Sequence, residues 1–162
     1  ASDVYKRQEQ QPQLNTHNKE EFPPAHSAEH ILNQTMVRMF GCQRSRHTHI
    51  ERKKSKLDYP LPSCPTPEQI AEIERKVNEV IAQNLPVTME YMPQKEAQQL
   101  FDLGKLPEDA SETLRIVRIG EYDACPCLGI HVTNTSEIGT FRISSTRYEN
   151  GIFRIVFRLN EQ

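Results

Sequence analysis

The stretch "GTFRISSTRYENGIFRIVFRL", residues 139–159, constrains the fold most. Phe153, Ile155, Phe157 and Leu159 recur at every second position, the period of a strand with one buried face. Asn150-Gly151 between the two runs tolerates the positive φ of a tight turn. The segment therefore predicts an antiparallel hairpin whose apolar face needs a cover. Two helical patterns supply it. "AHSAEHILNQTMVRMFG" sets Ala28, Ile31, Leu32, Thr35, Met36, Met39 and Phe40 on one stripe, with Gly41 as a stop, and predicts a helix over about 25–40. "TPEQIAEIERKVNEVIAQN" is better marked. Thr66 caps it, Pro67 suits its first turn, Gln69 completes a capping box, and Ile70, Ile73, Val77, Val80 and Ile81 form its core stripe.

Between these elements lie two short strand patterns, about 47–51 and 56–59. A third strand, "LPVTMEYMP", alternates Val87, Met89 and Tyr91. A short helix, "QKEAQQLFDLG", ends near Gly104, and "TLRIVRIG" follows as a strand. The order predicts an α+β fold, a mainly antiparallel sheet packed with two longer helices and one short helix. A length of 162 residues suits one domain with one core.

The polar residues concentrate near the beginning. "EQQPQLNTHNKEEFPP" reads as a disordered leader, so residues 1–23 are expected to precede a domain over 24–162. The first eight residues, "ASDVYKRQ", look like the translated end of a sequencing adapter, and the first methionine is Met36. Net charge is −2, so no global field attracts nucleic acid and any basic surface is local. No apolar run approaches the roughly 18 residues of a membrane helix, and no signal peptide is visible. Four cysteines in such a chain read as thiols or ligands rather than a disulfide framework, which places the chain in the cytoplasm.

Chemistry concentrates in two short motifs. His26 and His30 stand four apart on the first helix, so both imidazoles reach one ion from one face. At about 100° per residue they point away from the apolar stripe. A hundred residues later, "ACPCLGIH" offers Cys127 and His131 at C-x3-H spacing. Together the motifs supply Cys and His donors in a number that suits one zinc ion. Spacing favours Cys127 over Cys125 as the ligand, because five residues separate Cys125 from His131 and Pro126 bends the chain between the thiols. Cys42 and Cys64 lack a partner at ligand spacing and read as small hydrophobes.

"HSAEH" followed by "CLGIHVTNTSEIG" resembles the editing domain of alanyl-tRNA and threonyl-tRNA synthetases, and above all its freestanding forms, the small alanyl-tRNA editing proteins. The likeness covers about residues 24–160. It includes the capped helix before "NLPV", the run "RIVRIGEYDACPC", and the turn Thr135-Ser136-Glu137-Ile138-Gly139. Two departures concern the pocket's fine shape. Leu128-Gly129-Ile130 stands where the family often has two glycines, and Ser136 replaces the usual glycine of the turn. One domain of this size has no room for a class II aminoacylation core with its ATP site.

The resemblance implies hydrolysis of the ester that joins a wrong amino acid to tRNA. A synthetic site for alanine rejects serine poorly, because one added hydroxyl costs too little, whereas a second site can demand that hydroxyl. Ser-tRNA(Ala) is the implied substrate, with Gly-tRNA(Ala) a further one. His26, His30, Cys127 and His131 are the implied catalytic and metal-holding residues, and a metal there polarises the ester or acidifies a water. The threonyl relatives suggest an alternative in which the same residues act without metal. Thr48 is the candidate reader of the substrate hydroxyl. Arg44, Arg46, Arg52, Lys53, Lys54 and Lys56 are the candidate phosphate contacts. The expected partner is the tRNA acceptor end, with no DNA and no membrane. Three rival readings remain: a zinc-stapled module that binds tRNA or a synthetase without catalysis, a metal hydrolase of small esters, and an editing fragment of a longer synthetase.

Overall fold

The computed structural model describes residues 21–101 and 113–160. The predicted leader to residue 20 and the end of the short helix near Gly104 lie outside the described residues. The elements are α1 (Pro23–Phe40), β1 (His47–His49), β2 (Ser55–Pro60), α2 (Pro67–Ala82), β3 (Val87–Pro93), α3 (Gln94–Leu100), β4 (Thr113–Ile119), β5 (Asp123–Pro126), β6 (Thr140–Glu149) and β7 (Ile152–Asn160). They form two antiparallel sheets, β1-β2-β7-β6 and β3-β4-β5. The α+β class is as the sequence predicts, with the strands divided between two sheets instead of one.

The C-terminal hairpin is present and turns on Asn150 and Gly151, both at positive φ. Phe153, Ile155 and Phe157 point into the core beside Phe141, Leu57 and Tyr59. At the free edge of β6, α2 satisfies the backbone. Asn78 exchanges two hydrogen bonds with Phe141, and Glu74 accepts from the Ile143 amide, which blunts an edge that would otherwise invite pairing. The capping box of α2 forms as predicted between Thr66 and Gln69.

The helix α1 opens two residues earlier than predicted, because Pro23 and Pro24 fit its first turn. It is buried around most of its circumference, not along one stripe. One side meets the large sheet, where Asn33 Oδ1 accepts from the Tyr59 hydroxyl. The other meets the turn before β5, where Gln34 and Arg38 donate to the Tyr122 carbonyl and Thr35 pairs with the Tyr122 hydroxyl. The His26/His30 face thus looks onto the small sheet rather than into solvent.

The strand β3 forms as predicted, but its alternating residues do not share one buried face. Met89 and Tyr91 are exposed, while Val87 and Met92, on opposite faces, are buried. The reason is that β4, its partner, is covered on both sides. Val117 and Ile119 join the main core, whereas Ile116 and Met92 pack with Ala97 of α3 in a second cluster. The strand β5 went unpredicted, being four residues long and ending in proline. Cys42 packs against the core as expected, but Cys64 is exposed.

Candidate functional site

The two motifs meet. His30, Cys127 and His131 each bring a donor atom within 4.8 Å of the others. Cys127 Sγ lies 3.4 Å from His131 Nε2, and the His30 and His131 rings meet edge-on with centroids 4.5 Å apart. His26 stands beside this group rather than in it. Its ring is 6.1 Å from that of His131, and its Nδ1 is 3.9 Å from Glu29. Gly129 lets the loop pass under it, since a Cβ there would sit 3.1 Å from His26 Nδ1.

The small sheet positions the thiol. Asp123, Cys125 and Cys127 follow the period of two on β5 and its continuation, and the Cys127 amide donates to the Arg115 carbonyl of β4. Arg115, 4% exposed, donates to the carbonyls of Cys127 and Gly129. From the other side, Ser27 of α1 accepts from the Val132 amide at 3.2 Å and bonds His131 Nδ1 at 3.1 Å. The loop is therefore fixed at both ends by protein hydrogen bonds. Asp123 faces His30, with Oδ2 at 3.5 Å from Nδ1, an ion-pair distance but not a well-formed hydrogen bond. Arg44 grips the same carboxylate through two contacts of 2.6 and 3.2 Å.

Charge follows from these contacts. Burial works against a charged His30, yet the facing Asp123 carboxylate and the Cys127 sulfur overcome it and hold its pKa up to about 9. Burial raises the Cys127 thiol, but the hydrogen bond and charge of His30 prevail and lower it. Burial also raises Asp123, and His30 and Arg44 more than reverse that. His131 is driven to about 3, first by burial and then by the charges of His30, His26 and Arg115, so it is a neutral imidazole. Burial pushes Cys125 up to about 12, an inert thiol.

This donor set fits zinc. His131, a neutral imidazole, already has the protonation that ligation requires, and His30 lowers the Cys127 thiol in the same direction. The buried His30 Nδ1 faces a carboxylate, the usual outer partner of a ligating histidine.

A cavity of about 500 Å³ opens beside the group, lined among others by His26, His30, Asn33, Thr48 and Cys127. Thr48 reaches it because it pairs with the inward-facing Leu57, whereas its neighbours His47 and His49 face out. Of the predicted phosphate contacts, Arg44 is engaged with Asp123. Arg46, Lys53 and Lys54 are exposed, Lys56 is half-buried, and Arg52 lies over the Phe22 ring. Sequence reasoning missed Ser27, Asp123 and Arg115. The alternation D-x-C-x-C was the available signal for Asp123. No described helix is long and apolar enough to cross a membrane.

Residues 114–156 match the model of the threonyl and alanyl tRNA synthetase second additional domain. The alanine–tRNA ligase of Methanococcus maripaludis strain C6 is 31% identical over 155 residues, 89% of this chain and 17% of that protein. That of Pyrobaculum arsenaticum is 34% identical over 145 residues, 82% and 16%, and that of Idiomarina loihiensis 31% over 148 residues, 91% and 17%. The chain thus spans about a sixth of the length of these curated relatives. With the paired motifs of α1 and the β5 loop brought to one cavity, it is an editing-domain-like protein related to the second additional domain of threonyl- and alanyl-tRNA synthetases.

Proposed function

We propose that the chain hydrolyses the ester of mischarged tRNA, with Ser-tRNA(Ala) as its main substrate and Gly-tRNA(Ala) as a second. The observation that carries this reading is the convergence of His30, Cys127 and His131, the first two lining a cavity with room for an aminoacyl group and part of a nucleoside. His30, Cys127 and His131 would hold one zinc ion, with His26 beside them as a further donor. Bound there, zinc would supply Lewis-acid chemistry.

The chain's own residues do the rest. Asp123, clamped by Arg44, fixes the tautomer and angle of His30. Ser27 fixes those of His131. Thr48 offers a hydroxyl within the cavity to pair with that of the seryl group. A hydroxyl that the bound substrate covers discriminates against alanine, whose methyl leaves it without a partner. The tRNA acceptor end is the partner.

The rival of a zinc staple finds less support. Arg115 and Ser27 already tie the loop to β4 and α1 without any ion. The deciding experiment is release of amino acid from Ser-tRNA(Ala), Gly-tRNA(Ala) and Ser-tRNA(Thr) by the purified chain. Rapid release from the first is expected. Release from none of the three refutes the reading.

A further inference from the structure

The large sheet has an open face whose chemistry the cavity does not use. Leu57, Tyr59, Phe153, Ile155 and Phe157 point inward, so the alternate residues of β2 and β7, including Lys56, Asp58, Arg154 and Arg158, point out. On β6, Arg142 and Arg147 are five residues apart, and a regular strand would send them to opposite faces. The bulge between Ile143 and Ser145 resets the alternation and brings both to the open face. Arg142 then lies directly opposite Arg158, and Arg147 opposite Arg154. Like charges in directly opposed positions destabilise a sheet, a cost that a bound polyanion relieves.

The charges are unevenly compensated. Asp58 takes Arg154 in two contacts of 2.8 and 3.1 Å, and Glu149 lies 3.5 Å from Arg147. Among the described residues Arg142, Arg158, Lys53, Lys54 and Lys56 have no carboxylate partner. These five gather at one end of the sheet. Ser55 pairs with Phe157, which sets Lys54 beside Arg158, and Arg158 donates to the Lys53 carbonyl. The row therefore crosses β2, β7 and β6, roughly 10 Å at the usual strand spacing. It begins at the loop leaving β1, whose Thr48 and Ile50 line the cavity.

We propose that this row, centred on Arg142 and Arg158, seats the phosphate backbone of the double-stranded stem of the tRNA whose single-stranded end enters the cavity. The proposal rests on the tRNA reading above and adds the surface that holds the stem. Duplex RNA is gripped by shape and backbone contacts, whereas sheets that read single strands stack bases on aromatic side chains. The outward positions of β2, β6 and β7 carry no Phe, Tyr or Trp. Arginine suits the role because its planar fork pairs with phosphate through two hydrogen bonds.

The test measures binding of the full chain to an unacylated tRNA transcript between about 50 and 200 mM salt. The double variant Arg142→Gln/Arg158→Gln is compared with wild type and with Lys95→Gln, which lies on α3. The log–log salt slope of the double variant should be shallower by about 2, with weaker binding, and that of Lys95→Gln unchanged. Asp58→Asn, which frees Arg154, should bind more tightly than wild type. The double variant should keep or raise the unfolding midpoint and should hydrolyse a seryl ester of the trinucleotide CCA, which has no stem, as wild type does. A wild-type slope and affinity in the double variant overturns the proposal, as does wild-type protein that binds no tRNA. Phosphatidylserine vesicles bound as tightly as the transcript, through the same arginines, also overturn it, in favour of a membrane surface. Failure of the editing reading looks different: stem binding through this face with no hydrolysis of any mischarged ester.

Discussion

Ser27 sits between the two histidines of α1, is fully buried, and links α1 to both His131 and Val132. Ser27→Ala removes one oxygen and two hydrogen bonds. The Val132 amide is left unsatisfied in a buried position, at about 1–3 kcal/mol. The bond to half-buried His131 contributes about 1 kcal/mol more. Alanine returns about 0.5 kcal/mol through its better helix propensity. The balance is a loss of about 2.5 kcal/mol, or roughly 5–10 °C in Tm for a domain of this size. Because Ser27 sets the orientation of His131, zinc affinity should fall by about 10–100-fold as well. Urea unfolding of the metal-free protein measures the first effect, and competition with a chromophoric chelator the second. A change in stability below about 0.5 kcal/mol, with zinc affinity intact, would refute the role given to Ser27.

Three further outcomes follow from the geometry. Chelation by EDTA should abolish hydrolysis yet leave a cooperative unfolding transition at room temperature, since Arg115 and Ser27 hold the loop; circular dichroism that shows unfolding on chelation would favour a structural metal. Gly151→Ala should cost about 1 kcal/mol, from a φ of +77° alone, because a Cβ there meets nothing within 4 Å; equal unfolding midpoints would show that the turn relaxes. The Arg154 hydrogen bond holds Asp58 below the usual carboxylate range. A lowered folded pKa means that its stabilisation, at most about 1 kcal/mol for a surface pair, is present above about pH 4 and fades as pH falls through the folded value. Asp58→Asn should therefore destabilise at neutral pH and be silent in strong acid, and a deficit that persists in acid would assign the effect to packing.

The hairpin of β6 and β7 and the helix α2 were legible because local signals agree there: alternation with a tight-turn dipeptide, and a 3.6-residue period with a capping box. The strand β3 was legible but its burial was not, because alternation reports burial only when one face of a sheet is covered, and α3 covers the second face of β4. The strand β5 was too short to show a period. Within the site, the spacing of His26, His30, Cys127 and His131 was readable, but the apartness of His26 depends on how the loop passes under it at Gly129. Ser27 and Arg115 act through partners far away in the chain or on a neighbouring strand, which no local pattern marks, and Asp123 was signalled only by the D-x-C-x-C alternation. The open basic face was equally hidden, because the bulge of β6 determines where Arg147 points.

The most direct test of the account is single-turnover hydrolysis of Ser-tRNA(Ala) by the wild-type chain and by Cys127→Ala, with correctly charged Ala-tRNA(Ala) in parallel. The wild type should release serine far faster than alanine, and Cys127→Ala should lose that activity while remaining folded. Serine release by Cys127→Ala at the wild-type rate would contradict the site assigned here, and equal release of serine and alanine would contradict the selectivity.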